Sequence, residues 1–247
     1  MPKKLAAKDL LIAQNLVEDE KTARALIMAG RVYTENRQLK SAGEQLSIDT
    51  KLQVKHKKTH NYVSRAALKL KHALEYQSFN ITDKICMDLG SSTGGFTEIL
   101  LEAGAKKIYA VDVGYNELAY KLRNNSKIIV LERTNARFVP AEQIIEQIDI
   151  LTCDLSFTSC VPAVKANLKF LKPAAKLIIL VKPQFELAKD LIGSGGIVAE
   201  DELHLLAIKQ VKEQLVNLPL QELFLIASPI KGSKGNKEFL LAYQYEP

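Results

Sequence analysis

The sequence predicts an α/β protein, a mostly parallel, doubly wound sheet preceded by a small α+β module. Three observations carry that expectation. Aliphatic strand-like runs alternate with helical periodicity from about residue 84 onward, the signature of a parallel sheet covered by helices on both faces. The first 60 residues instead place two helical stretches ahead of short strands. Charge divides in the same way: residues 1–75 hold 15 Lys+Arg against 8 Asp+Glu, net +7, and the rest of the 247 residues is net −1. A basic lobe beside a neutral body suits a polyanionic partner, although a solvated basic surface has the same composition.

Composition narrows the class. Hydrophobic residues make up 47% and charged residues 25%, as in ordinary globular proteins. Cys86, Cys153 and Cys160 are odd in number and lack metal-ligand spacing. A disulfide framework or a zinc site is therefore not expected, and a reducing cytoplasm fits. No apolar run reaches membrane-spanning length. The opening "MPKKLAAKDLLIAQNLV" is interrupted by Lys8 and Asp9, unlike a signal peptide.

Within residues 1–60, Leu10, Leu11 and Leu16 suit one short amphipathic helix. A second begins near "EDEK", buries Ala25, Leu26 and Ile27, and stops at Gly30. "RVYTE" and "EQLSIDT" read as short strands. "LVEDEKTARALIMAGRVY" resembles the RNA-binding domain of small-subunit ribosomal protein four. The hairpin turn of that domain usually has Asn-Gly where this chain has "TENRQ". By this resemblance Arg24, Arg31, Arg37 and Lys40 are phosphate-contact candidates, each with a plain solvated-face reading beside it. "KLQVKHKKTHNYVSR" is basic, poorly periodic and the expected linker into a second domain at 61–247.

From there the expected elements follow in order. "KICMDLG" is a strand and "TGGFTEILLEAGA" a helix. "KIYAVDVG", "IIVLERT", "IDILTCDLSF" and "KLIILVKP" are further strands, with "ELAYKLRNN" and "VPAVKANLKFLKP" as helices between them. "ELHLLAIKQVKEQLVNL" is the longest helix, and "ELFLIASPI" with "EFLLAYQY" closes as an antiparallel pair. Ligands of such sheets sit beyond the carboxyl ends of the strands.

Those ends are rich in chemistry. "DLGSSTGGF" has Gly90 for a tight turn, with Gly94 and Gly95 letting the chain pass close to a ligand as the helix starts. It is not G-x-G-x-x-G, so a nicotinamide cofactor loses its main support. Asp88, just ahead of the loop, would repel a pyrophosphate but not a sulfonium cation, which favours S-adenosylmethionine. A plain strand–helix turn has the same glycines. Asp112 follows Gly90 by 22 residues, near the spacing of a carboxylate that bonds a ribose diol, and an N-cap role is its alternative. Asn135 and Asp154 end the next two strands. Lys182 ends the fifth, where Pro183 takes the chain out of the sheet and leaves the amine over its crest.

"SRAALKL", "DLGSSTGGF", "YAVDVGYNEL", "VLERTNAR", "CDLSF", "LVKPQFE" and "SPIKGSKGNKEFLL" occur in that order and resemble the TlyA (haemolysin A) family. Its body is an FtsJ-like methyltransferase, a Rossmann-like sheet with an antiparallel last strand. One departure is "SRAA", where the family usually reads Ser-Arg-Gly-Gly. The resemblance implies a Lys69, Asp154, Lys182, Glu238 tetrad for ribose 2′-O-methylation of ribosomal RNA, on cytidine, in one or both subunits. In that tetrad Lys182 is the base, Asp154 and Glu238 orient the lysines and the hydroxyl, and Lys69 steadies the developing alkoxide. A lysine serves as base only where its surroundings disfavour the ammonium, as a second lysine and a sulfonium do. Gly90, Ser91, Thr93, Gly94, Phe96, Asp112, Asn135 and Asp154 are the expected S-adenosylmethionine contacts, and Arg65 an RNA contact. Two other classes are alternatives: a membrane-active haemolysin, for which no spanning or toxin-like segment is legible, and an RNA-binding assembly factor without catalysis. "KGSKGNK" and "LIGSGGIV" read as mobile loops over substrate, and plain surface turns have the same glycines.

Overall fold

The computed structural model describes residues 4–35, 37–54, 61–232 and 234–247. It divides into two compact units, Met1–Asn61 and Tyr62–Pro247.

The first unit contains β1 (Lys4–Ala6), α1 (Ala7–Ala13), α2 (Glu20–Met28), β2 (Val32–Tyr33), β3 (Gln45–Ser47) and β4 (Gln53–Val54). Strand β1 pairs antiparallel with β3, and β2 with β4. Asp19 caps α2 by accepting the Thr22 amide at 2.7 Å. The helix turns Ala23 and Ile27 inward onto Leu10, Leu11 and Val32. Ala25 is exposed and Leu26 half-buried, so the inward face is rotated from the one expected, because the i, i+4 pair begins one turn after the cap. Leu16 lies beyond α1 and is exposed. The expected linker is shorter than its basic composition implied. Gln53–Val54 is a paired strand, and Tyr62, Val63 and Ala66 pack on the core of the second unit. Residues 55–60 lie outside the described residues.

The second unit contains α3 (Ala67–Tyr76), β5 (Ile85–Leu89), α4 (Gly95–Glu102), β6 (Lys107–Val111), α5 (Tyr120–Arg123), β7 (Ile128–Leu131), β8 (Ile148–Cys153), α6 (Val161–Asn167), β9 (Leu171–Val181), α7 (Pro183–Glu186), α8 (Asp201–Leu215), β10 (Leu220–Ala227) and β11 (Phe239–Tyr245). The seven strands lie in the order β10-β11-β9-β8-β5-β6-β7. The five from β9 to β7 are parallel, and β11 runs antiparallel between β9 and β10. This is a Rossmann-like, doubly wound sheet with an antiparallel strand at one side. No helix among the described residues is long and apolar enough to cross a membrane.

Two cores cover the two faces, and strand alternation assigns residues to them. Leu177, Ile179 and Val181 of β9 face one core, Ile178 and Leu180 the other. Both faces are therefore apolar, which is why the central strands read as unbroken aliphatic runs. Each fully buried aliphatic contributes about 1.5–3 kcal/mol.

Asp88 occupies one of these inward positions on β5 and is wholly buried. Its oxygens accept hydrogen bonds from Thr97 Oγ1 at 2.6 Å and Thr152 Oγ1 at 2.9 Å. The carboxyl thus bolts β5 to α4 and β8, and it borders none of the three cavities described below. The expectation that it faces a cofactor is corrected by the parity of the strand. Burial pushes its pKa up to about 6. Because the folded value exceeds the unfolded 3.8, stability is greatest below pH 4 for this group and falls as pH rises through 6. Asp88→Asn is expected to flatten the pH 4–7 stability profile by about 1–3 kcal/mol, read by denaturant titration at each pH.

Candidate active site

The loop after β5 and the end of β8 meet at one point. Gly90 has φ +84°, and a Cβ there would lie 2.5 Å from the Asp154 carbonyl oxygen. The bare backbone opens a cavity of about 290 Å³. Asp112 at the end of β6 lines it, with Oδ2 accepting the Ser92 amide at 2.8 Å and Oδ1 the Gly114 amide at 2.7 Å. Each oxygen retains a lone pair, enough for a vicinal diol. Glu117 and Asp154 also line the cavity, and no lysine or arginine does so among the described residues. An acidic, cation-free wall suits a sulfonium-bearing nucleoside and opposes a phosphate. The residues fit S-adenosylmethionine.

Gly94 and Gly95 also make room for protein. A Cβ on Gly94 would lie 2.3 Å from Leu122 Cδ1, and one on Gly95 would lie 2.5 Å from Ser64 Oγ and 2.9 Å from Ala66 Cβ. Gly94 lets α4 approach α5, and Gly95 lets it approach the entry to α3 while also bordering a connecting cavity of about 150 Å³. Ser91, Thr93 and Phe96 border the same cavity, shared with Gly90, Asp154 and Lys182. Asn135 is not brought in: it is exposed, and its Oδ1 accepts the Arg137 amide at 2.9 Å. Its neighbours Thr134 and Ala136 line the cofactor cavity instead.

Beyond the connecting cavity lies a larger one of about 430 Å³, bordered by Lys69, Lys182 and Glu238. Lys69 on α3 is 6% exposed, Glu238 ahead of β11 is 3% exposed, and Nζ lies 2.6 Å from Oε2. Lys182, just after β9 and 7% exposed, places Nζ 2.6 Å from Asp154 Oδ1. Neither carboxylate oxygen meets hydrogen-bond angles, so both contacts are ion pairs by distance. The Lys182 ammonium instead donates to Ser156 Oγ at 2.8 Å. The four side chains form two buried pairs of alternating charge, with Asp154 on the wall shared with the smaller cavities.

Several site residues were not foreseen. Ser92 and Glu117 join the cofactor wall, with Ser92 Oγ donating to Glu117 Oε2 at 3.3 Å. Ser156 holds Lys182. Phe157 is 89% exposed at φ +66° and lies 5.4 Å from the Phe185 ring. "CDLSF" contained both Ser156 and Phe157, but backbone strain leaves no mark in composition. The two glycine loops, expected to be mobile, are tied together. Buried Asn236 accepts the Val198 amide at 2.8 Å and donates to the Gly196 carbonyl at 2.9 Å. Ser233 of the second loop lies outside the described residues.

Of the RNA candidates, Arg65 stands exposed at the larger cavity. Arg24 is paired with Glu20 and Arg37 with Glu44. Half-buried Arg31 and exposed Lys40 show no ion pair among the described residues.

Residues 62–245 match the model of the FtsJ-like methyltransferase family. The chain is 37% identical over 231 residues to the 16S/23S rRNA (cytidine-2′-O)-methyltransferase TlyA of Mycobacterium tuberculosis, covering 94% of this chain and 86% of that one. It is 34% identical to Hemolysin A of Brachyspira hyodysenteriae, covering 92% and 95%. A solved structure described as a candidate hemolysin from Streptococcus thermophilus superposes with TM-score 0.76 at 35% identity, covering 100% of this chain and 90% of that one.

Gly90→Ala is expected to cost about 1–3 kcal/mol and to lower the melting temperature by several degrees in calorimetry. An unchanged melting temperature would mean that the β5–β8 approach is not tight.

Proposed function

Because the chain belongs to the FtsJ-like methyltransferase family, among the TlyA and haemolysin A proteins, we propose that it methylates the 2′-hydroxyl of riboses in ribosomal RNA. The observation that carries this reading is the pair of buried ion pairs, Lys69–Glu238 and Lys182–Asp154, at the junction of two cavities. S-adenosylmethionine supplies a methyl group already activated on sulfur. Asp112 and Glu117 hold its ribose side, and the acidic wall matches its cation.

A ribose hydroxyl is a poor nucleophile, and the protein has three tasks at it: aligning the oxygen, taking its proton and steadying its charge. Lys182 takes the proton as the neutral amine, its ammonium first losing one to solvent because the bound sulfonium and Lys69 disfavour a further positive charge there. Asp154 and Ser156 fix the position of its amine from two sides. Lys69 faces the hydroxyl with positive charge, held in place by Glu238. The exposed Phe157 ring offers a face on which a base can stack. The first unit docks RNA through Arg31 and Lys40, with Arg24 and Arg37 exchanging carboxylate for phosphate.

Two experiments test this reading. Protein and its Lys182→Ala variant are incubated with methyl-labelled S-adenosylmethionine and unmethylated ribosomal subunits, and the label is mapped. Label on ribose is expected with the parent and about 10²–10⁴-fold less with the variant. Label on bases, or none on either subunit, would overturn the assignment. Lys69→Met strands the Glu238 carboxylate and is expected to cost about 3–5 kcal/mol of stability. Adding Glu238→Gln should recover part of that stability while activity stays lost, which separates folding from chemistry.

A further inference from the structure

Arginine is placed selectively in Tyr62–Pro247. The stretch contains four, Arg65, Arg123, Arg133 and Arg137, and lysine supplies its other permanent positive charge. Arg123 is engaged with Glu132. The remaining three have no carboxylate partner among the described residues, and all three lie at the crest where the cavities open. Arg65 borders the larger cavity. Arg133 and Arg137 are exposed and flank Thr134 and Ala136, which line the cofactor cavity. The segment thus alternates, with small residues turned to the cofactor and arginines turned to solvent.

Each of these two arginines accompanies an exposed ring. The Arg133 guanidinium lies 4.2 Å from the centroid of Tyr115, which is 64% exposed. That of Arg137 lies 5.5 Å from Phe138, which is 71% exposed. Arg133 adopts φ +52°, a strained conformation for a residue with a side chain. Its amide donates to the Gly114 carbonyl at 3.0 Å, so the loops after β6 and β7 are joined. Planar cations and rings that present free faces together are what single-stranded nucleic acid uses. Bases stack on aromatic and guanidinium planes, and phosphates take the guanidinium fork.

We propose that the loops after β6 and β7 are a docking surface for single-stranded RNA beside the target nucleotide, with Tyr115 and Phe138 stacking bases and Arg133 and Arg137 holding phosphates. The proposal takes from the preceding reading only that the substrate is RNA. Phe157 borders both main cavities, so a strand whose ribose enters the larger one has this crest as its neighbour. The uncommitted charges of Arg133 and Arg137 and the separation of the rings by arginine favour RNA over a protein partner.

The test uses the full chain and a fluorescent single-stranded 12-residue oligocytidylate. Ultraviolet cross-linking with peptide mapping is expected to label Tyr115 or Phe138. In anisotropy titrations Arg133→Ala with Arg137→Ala should weaken binding about tenfold and reduce the logarithmic salt slope by roughly 1.4, about 0.7 per contact. Tyr115→Ala with Phe138→Ala should weaken binding at unchanged slope. Melting temperature and S-adenosylmethionine affinity should stay at parental values in both variants. Cross-links confined to other peptides with unchanged affinity would overturn the proposal. So would a loss of S-adenosylmethionine affinity in the arginine variant, or intact RNA binding with lost binding to RNA-free ribosomal proteins. Binding requires no methyl transfer. A protein that binds through the crest but methylates nothing refutes the methyltransferase reading alone, and active variants with parental RNA affinity refute the crest alone.

Discussion

The contact on which the site depends is the seam between β5 and β8. Gly90 presses its backbone against the Asp154 carbonyl, the Asp154 amide donates to Leu89 at 2.9 Å, and Thr152 reaches across to Asp88. One side of the seam is the glycine loop that borders the smaller cavity; the other carries Asp154, the partner of Lys182. Their spacing is set by backbone packing and hydrogen bonds, not by flexible side chains. A methyl acceptor and donor can be held in line only if the elements holding each share a rigid frame, and the seam is that frame.

Charge is segregated around the seam by sign and depth. Carboxylates face the cofactor cavity, two neutralised pairs occupy the buried middle, and unpaired arginines face outward. The pairs balance each other, which is what allows four ionic groups to sit in a nearly dry junction. The outer arginines pay no such desolvation and are available to a polyanion. The sign of the surface thus changes within the width of one loop, Thr134 to Arg137, because alternate residues face opposite ways.

That alternation also explains what was legible in the sequence. Strands were readable because both faces of the sheet are covered, and strand-end charges because parallel sheets concentrate ligands there. The four charged residues come together as two pairs, although Lys69 and Glu238 lie far apart in the chain. Parity was not readable: Asn135 shares a strand-end motif with its neighbours but faces outward, and Asp88 faces a core. Gly94 and Gly95 have the spacing of a ligand loop, yet their missing side chains make room for Leu122 and Ala66. In the first unit, β1 and β4 are only three and two residues long. They exist through pairing with distant partners, which no local periodicity announces.

The strand that carries Glu238 at its head has a consequence for how the protein is made. Strand β11 lies between β9 and β10, both of which precede it in the chain. Until Phe239–Tyr245 has been synthesised, β10 has no ladder to join and β9 keeps an open edge. The same insertion delivers the carboxylate that steadies Lys69. Completion of the sheet and completion of the charge set therefore both await the same strand.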